Sequence, residues 1–235
     1  MSTLTLSPPT SNAYKGLRIH ALPGLHDYVA LLAEEHLKGN GLVLDLAAGS
    51  GAMSLRLQDM GYSVTASDIV PDNFRLHGNI PFVLANLNEP FASQYSERFE
   101  GIVASEIIEH LENPRHFFRE CFRLLADGGK LILTTPNLDN AASLASFLRS
   151  GCFMWFSEKD YRIQGHITPI TQWQLQKCAE EAGFSVLWKG SYGNPLTHLK
   201  GSPRLQLVAR ILDRLLGNDR RLRGEIYTAV FQRPF

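Results

Sequence analysis

The sequence predicts an α/β protein of doubly wound architecture, and three observations carry that prediction. Short apolar runs typical of buried strands recur along the chain. Segments of helical length separate them. The first run passes directly into a glycine-rich turn, L-D-L-A-A-G-S-G, over Leu44–Gly51. Parallel neighbours need a crossover connection, usually a helix, so strands that alternate with helices imply a mostly parallel sheet. The chain has 235 residues, of which 44 % are apolar, enough for one large domain with a full core.

Residues 1–24, with Pro8 and Pro9 near the start, read as a tail and cover segment, and residues 25–235 as a single domain. A helix is expected from Leu25 to about Leu37. Val29, Leu32 and Ala33 keep helical spacing there, and Gly39-Asn40-Gly41 stops it. Leu42–Leu46 is too short for a surface helix and reads as a buried strand. A helix over Met53–Met60 ends at Gly61, and Tyr62–Asp68 forms a second strand ending on an acid. Pro81–Leu87 holds a short strand and Phe99–Ser105 another, followed by a helical region broken at Asn113-Pro114. A helix over Arg115–Leu125 presents Phe118, Cys121, Phe122 and Leu125 at spacings of three and four. Asp127-Gly128-Gly129 then turns the chain into a strand over Lys130–Pro136.

Residues 137–168 lack strand alternation and are rich in aromatic residues (Phe147, Phe153, Trp155, Phe156, Tyr161). They read as a partly helical insertion over the carboxyl edge of the sheet, serving either as a satellite core or as a lid on an acceptor pocket. A helix over Thr171–Ala182, a strand over Phe184–Trp188, an amphipathic segment over Pro203–Gly217 and a strand over Glu225–Gln232 complete the chain.

Composition narrows the function classes. Twenty-three basic and 23 acidic residues cancel, which argues against a general nucleic-acid binder. Three cysteines without paired spacing indicate neither a disulfide framework nor a cysteine zinc site, so a reducing, cytoplasmic setting is expected. Met1–Thr10 lacks the basic start and apolar run of a signal peptide, and no stretch of 18 apolar residues is present.

A glycine turn between a strand and a helix offers close backbone approach and free N–H groups to a ligand, although such turns also serve purely structural ends. Asp68 stands 17 residues past Gly51 at the end of the next strand, where its carboxylate is suited to accept both hydroxyl protons of a ribose. In order and spacing, V-L-D-L-A-A-G-S-G, V-T-A-S-D-I, A-N-L-N-E-P-F, F-E-G-I-V-A-S-E-I-I-E-H and L-L-A-D-G-G-K-L-I-L-T-T-P-N resemble the class I S-adenosylmethionine-dependent methyltransferases. The resemblance implies a three-layer α/β sandwich around a seven-stranded, mostly parallel sheet with an antiparallel last strand. It also implies that Asp45, Ala47, Gly49 and Gly51 hold the methionine end of S-adenosylmethionine. Asp68 would then hold the ribose, Ile69 would stack on adenine, Asn86 and Leu87 would meet the adenine edge, and Ser105 would lie beside the sulfonium. Ala47 replaces a glycine usual in the family, and Asn86 an aspartate. The N-terminal segment often covers the cofactor in such proteins, which makes His20, His26, Tyr14 and Arg18 candidates for its neighbourhood.

Glu106, Glu109 and His110 are spaced i, i+3, i+4 and would share one face of a helix. Two carboxylates and an imidazole so grouped can bind a divalent metal ion. The motif resembles that of ubiquinone-biosynthesis O-methyltransferases and of small-RNA 2′-O-methyltransferases. In the latter a second histidine completes the site, and His166 is the candidate here. Without a metal, His110 would be a base or a substrate contact, or the group would be mainly structural; His110, Glu109 and His166 are the catalytic candidates. The expected activity is O-methylation of a small-molecule or lipid-linked acceptor. RNA 2′-O-methylation and a catalytically silent scaffold are the alternatives. Residues 86–120 carry seven acids against three arginines, a poor track for RNA. Residues 201–235 carry seven arginines against three acids, which fits either a solvated helix face or contact with an anionic surface.

Overall fold

The computed structural model describes residues 12–37, 41–215 and 223–235. The expected stop at Gly39-Asn40 and the tail over residues 1–11 lie outside the described residues. A small hairpin of β1 (Ala13–Tyr14) and β2 (Leu17–Arg18) leads into α1 (Leu25–His36). The main run then follows as β3 (Leu42–Leu46), α2 (Ala52–Asp59), β4 (Ser63–Asp68), β5 (Phe82–Leu84), β6 (Phe99–Ser105), α3 (Pro114–Leu124) and β7 (Leu125–Pro136). After β7 come α4 (Ala141–Ser150), α5 (Glu158–Gln164), α6 (Gln172–Glu181), β8 (Ser185–Tyr192), α7 (Pro203–Leu215) and β9 (Ile226–Gln232).

Seven strands form one sheet in the order β5-β4-β3-β6-β7-β9-β8. β3 pairs in parallel with β4 and β6, β4 with β5, and β6 with β7, while β9 runs antiparallel to both β7 and β8. The predicted sheet is therefore the observed one. From β3 the chain first builds outward to β4 and β5, then crosses back to place β6 on the other side of β3. The turns that follow β3 and β6 consequently flank the point where strand order reverses, the usual ligand crevice of an open α/β sheet.

Side-chain alternation splits the core between the two faces. Leu44, Leu46, Ile102, Ala104, Leu131 and Leu133 pack with Phe117, Phe118 and Cys121 of α3 and Leu175 and Ala179 of α6. Val43, Val103 and Ile132 point the other way, onto Val29 and Leu32 of α1 and Met53 and Leu57 of α2. Each fully buried side chain of this size contributes about 1.5–3 kcal/mol. A third, small cluster ties Ala142 and Ala145 of α4 to Leu199 and to Ala209 of α7.

Three expectations change. The strand in Pro81–Leu87 shrinks to Phe82–Leu84, at the sheet edge where one partner is available. β7 begins at Leu125 rather than Lys130, because Leu125 already pairs with Phe99 across an irregularity. Glu106, Glu109 and His110 do not share a helix face. Glu106 has φ 53, and only a single 3₁₀ turn, Ile108–His110, precedes Asn113, whose side chain caps α3 by accepting from His116 N. None of the described helices is long and apolar enough to cross a membrane.

Candidate functional site

A cavity of about 670 Å³ opens at the carboxyl end of β3, β6 and β7. Its first wall is the glycine turn. Asp45, at the end of a buried strand, is 2 % exposed and accepts a 2.5 Å hydrogen bond from Ser54 Oγ. Burial pushes its carboxyl up to about 7, and the nearby Asp68 adds to the effect. Ala47 takes the left-handed region at φ 62, and Gly49 follows at φ 54. A Cβ on Gly49 would meet nothing within 4 Å, so the backbone there faces open space that a ligand can fill. A Cβ on Gly51, by contrast, would come within 2.9 Å of Leu76 and Phe74.

Asp68 braces this turn. Its two carboxylate oxygens accept from Gly49 N at 2.8 Å and from Val70 N at 2.9 Å. Asp45, Ala47, Gly49 and Ser105 line the cavity, whereas Gly51, Asp68, Ile69, Asn86 and Leu87 lie outside its lining. Ile69 is 58 % exposed beside β4, Leu87 is buried, and Asn86 Oδ1 accepts from Asn88 N. Arg18, His20 and His26 from the N-terminal segment also line the cavity, with Ser50 Oγ donating to Arg18 O at 2.6 Å. Tyr14 does not reach it: its hydroxyl donates to Asp59 and its ring lies under Arg56. Burial holds the His26 imidazole neutral, its pKa lowered to about 4.

The turn after β6 makes the second wall. Thr134 on β7 anchors Glu106 twice, its Oγ1 accepting from Glu106 N at 3.0 Å and donating to Glu106 Oε1 at 2.9 Å. Glu109 is fully buried, and its Oε2 accepts from Thr135 Oγ1 at 3.0 Å. Its other oxygen, Oε1, has no hydrogen-bond partner among the described residues. Burial raises the Glu106 carboxyl to about 7 and holds Glu109 well above the usual carboxylate range, with Glu106 adding repulsion. Neither carboxyl has an ion-pair partner among the described residues.

The insertion supplies the third wall and explains how distant residues meet. Ile167 N and Thr168 N both donate to Glu109 O at 2.9 Å, and Thr168 Oγ1 donates to Leu111 O. This stitching brings the His166 ring to 4.8 Å from the His110 ring, nearly perpendicular to it. His110 Nδ1 contacts Gly165 O at 3.2 Å, and His166 Nδ1 contacts Trp155 O at 2.7 Å. A carbonyl only accepts, so both Nδ1 atoms carry a proton, and Nε2 is the ring nitrogen that offers a lone pair in a neutral imidazole. Desolvation and His166 lower the His110 pKa and favour its neutral form. Ligand atoms of Glu109, His110 and His166 lie within 4.8 Å of one another, and Glu106 is not in that group. One buried carboxylate and two imidazoles so grouped could hold a divalent metal ion. The predicted four-residue set thus reduces to three.

Of the four non-glycine residues with positive φ among those described, Ala47, Glu106 and Trp155 line this cavity. Strained backbone concentrated at one place marks a built site. Within the aromatic insertion Trp155 lines the cavity, Met154 packs on the satellite cluster and Phe153 stacks on Phe147. Sequence reasoning missed Thr134 and Thr135, which ordinary strand residues do not announce. His198, exposed, pairs with buried Glu225 and packs 4.8 Å from the Trp155 ring.

Comparison with known proteins agrees with this geometry. Residues 17–188 match the family described as "Methyltransferase domain". A ubiquinone biosynthesis O-methyltransferase from Xanthomonas oryzae pv. oryzae is 36 % identical over 132 residues, covering 53 % of this chain and 54 % of that protein. The mitochondrial protein of that name from Rattus norvegicus is 29 % identical over 131 residues, covering 49 % and 38 %. The chain thus spans about half the length of the Xanthomonas relative. A SAM-dependent methyltransferase from Archaeoglobus fulgidus superposes with a TM-score of 0.62 at 19 % identity, over 88 % of this chain and 94 % of that one. At that identity the likeness concerns the fold alone.

Proposed function

Because the chain belongs to the class I S-adenosylmethionine-dependent methyltransferases, we propose that it methylates a hydroxyl oxygen of a small-molecule or lipid-linked acceptor seated against Glu109, His110 and His166. The observation that carries this reading is the convergence of those three side chains on the cavity wall shared with the glycine turn. The names of the Xanthomonas and rat relatives, both O-methyltransferases of ubiquinone biosynthesis, support oxygen as the acceptor atom. Among the described residues Arg18 is the one arginine or lysine in the cavity lining, too little positive charge to track an RNA strand.

S-adenosylmethionine, when bound, supplies an electrophilic methyl group; a divalent cation, when bound, supplies positive charge that makes a nearby hydroxyl more acidic. Asp45, ionised, meets the ammonium end of the donor, and the open backbone at Ala47 and Gly49 lets that end approach closely. Asp68 serves the ribose with the lone pairs its two backbone contacts leave free. Ile69 stacks against adenine, Asn86 and Leu87 meet the adenine edge, Gly51 keeps the turn tight and Ser105 borders the reacting centre. Glu109, His110 and His166 would hold the cation, and their backbone and threonine contacts fix them in advance of the reaction. Methyl transfer is an in-line displacement, so much of the catalysis consists of holding acceptor and donor in line. Trp155 shapes the acceptor side of the cavity and excludes water.

The test is transfer of labelled methyl from S-adenosylmethionine into lipid, small-molecule and RNA fractions of a cell extract, with metal analysis and chelation. Label is expected in the lipid or small-molecule pool, lost with a strong chelator and restored by one preferred cation. His110→Gln and His166→Gln should each lose metal while keeping donor affinity. Chelator-insensitive turnover, lost with His110→Gln alone, would replace the cation with His110 Nε2 as proton acceptor. Label confined to RNA would overturn the acceptor class.

A further inference from the structure

We propose that α7 docks the protein on the surface of an anionic phospholipid bilayer. The methyl-transfer reading is not needed for this inference, because it rests on a different part of the molecule.

α7 buries Ala209 against α4 and turns a second face outward. On that face Leu207, Val208, Ile211 and Leu215 are 60 %, 40 %, 48 % and 77 % exposed. Their spacing of one, three and four residues places them in one stripe along the helix. Four large aliphatic side chains left in water on one stripe mark a contact surface rather than a solvated face.

The charges beside the stripe name the partner. Arg204, Arg210 and Arg214 are exposed and have no ion-pair or hydrogen-bond partner among the described residues. Asp213, the acid on α7, is already held by Arg223 at 3.2 Å. Arg210, Arg214 and Arg223 also line a cavity of about 270 Å³ between α4, the Pro195–Leu199 turn and α7, together with Asp213, whose charge Arg223 offsets, Asn194 and Ala142. Guanidinium groups grouped around a small cavity suit a phosphodiester headgroup, and the adjoining aliphatic stripe suits the acyl boundary just beneath it. Charge complementarity and this pairing of a headgroup cavity with an apolar stripe commit the face to a bilayer rather than to a protein.

Docking there also places the cavity of the first site. The satellite cluster joins α7 through Leu199 to Met154, the neighbour of Trp155 in the wall of that cavity. A membrane against α7 would therefore lie alongside the acceptor side of the protein.

The experiment is co-sedimentation of the full chain with vesicles of phosphatidylcholine alone or with about one third phosphatidylglycerol, at low and high salt. Binding is expected only to the anionic vesicles, falling steeply at about 0.5 M salt as charges are screened. Arg210→Gln with Arg214→Gln should cut partitioning about 25-fold, at about fivefold per arginine. Leu207→Ser with Ile211→Ser should cut it at low salt without changing charge. Both pairs are exposed, and unchanged circular dichroism and S-adenosylmethionine affinity would certify the fold. Equal binding to both vesicle types, no binding to either, or unaltered binding of the variants would overturn the proposal. Competition by millimolar glycerol phosphate that abolishes binding would reduce the cavity to a soluble-phosphate site. A dimer that the leucine and isoleucine changes dissociate, with vesicle binding untouched, would give the stripe to a second copy. Vesicle binding needs no turnover, so its failure is separate from any failure of the methyl-transfer reading.

Discussion

Replacing Asp45 with asparagine tests whether the glycine turn is built to bind a cation at the expense of the free protein's stability. The Asp45 carboxyl is 2 % exposed and its pKa rises from the usual 3.8 to about 7, mainly by burial. The folded chain therefore binds this proton more tightly than the unfolded chain. The stabilisation is complete below about 3.8 and declines as pH rises through the window to about 7, above which it is gone. A rise of about three units, at 1.36 kcal/mol each, amounts to about 4 kcal/mol between pH 4 and pH 8. For a chain of this length that is about 10 °C of melting temperature. The asparagine keeps an acceptor for Ser54 Oγ and has nothing to titrate. Its own packing effect does not vary with pH, and Glu106, Glu109 and Glu225, whose pKa values are also raised, titrate in both proteins. The difference between the two stability curves isolates Asp45. Urea unfolding of both proteins at pH 4, 5.5, 7 and 8 should show the wild type losing stability relative to Asp45→Asn as pH rises. Calorimetry at pH 8 should show the variant binding S-adenosylmethionine at least about tenfold more weakly, because an amide replaces a charged partner. Parallel stability curves from pH 4 to pH 8 would refute the reasoning.

Two further outcomes follow from the geometry. Asp68→Ala removes the acceptors of Gly49 N and Val70 N as well as the expected ribose partner, so S-adenosylmethionine affinity should fall by about 2–4 kcal/mol in calorimetry; unchanged affinity would remove Asp68 from the donor site. Gly129→Ala would bring a Cβ within 2.8 Å of Ala126 O and 3.1 Å of Phe99 O, both backbone atoms that cannot swing away. Urea denaturation should register a loss of about 1–3 kcal/mol, with donor affinity per folded molecule unchanged.

Much of the sheet was legible in the sequence because its signals are local. Leu42–Leu46 and Phe99–Ser105 are apolar runs too short for helices, and their observed bounds match the expected ones. Where pairing set the limits, the sequence was silent. Leu125 joins β7 because Phe99 lies opposite it, and β8 continues to Tyr192 because β9 runs on to Ile226 beside it. Residues of that kind lack a strand pattern of their own and are held by hydrogen bonds to a distant partner.

The site divides along the same line. The identities of Asp45, Gly49, Asp68, Glu109, His110 and His166 were readable, since residue type and spacing limit what chemistry a segment can do. Their arrangement was not. The i, i+3, i+4 spacing pointed to a helix face, but Glu106 sits at φ 53 with its carboxyl held by Thr134, and it is not among the three residues whose ligand atoms converge. His166 reaches His110 through backbone bonds from Ile167 and Thr168 to Glu109. Sequence alone thus determined the fold class, the glycine turn and the inventory of acids and imidazoles. Only the tertiary structure decided which of them converge, because convergence depends on contacts between residues more than fifty positions apart, and no local propensity encodes those.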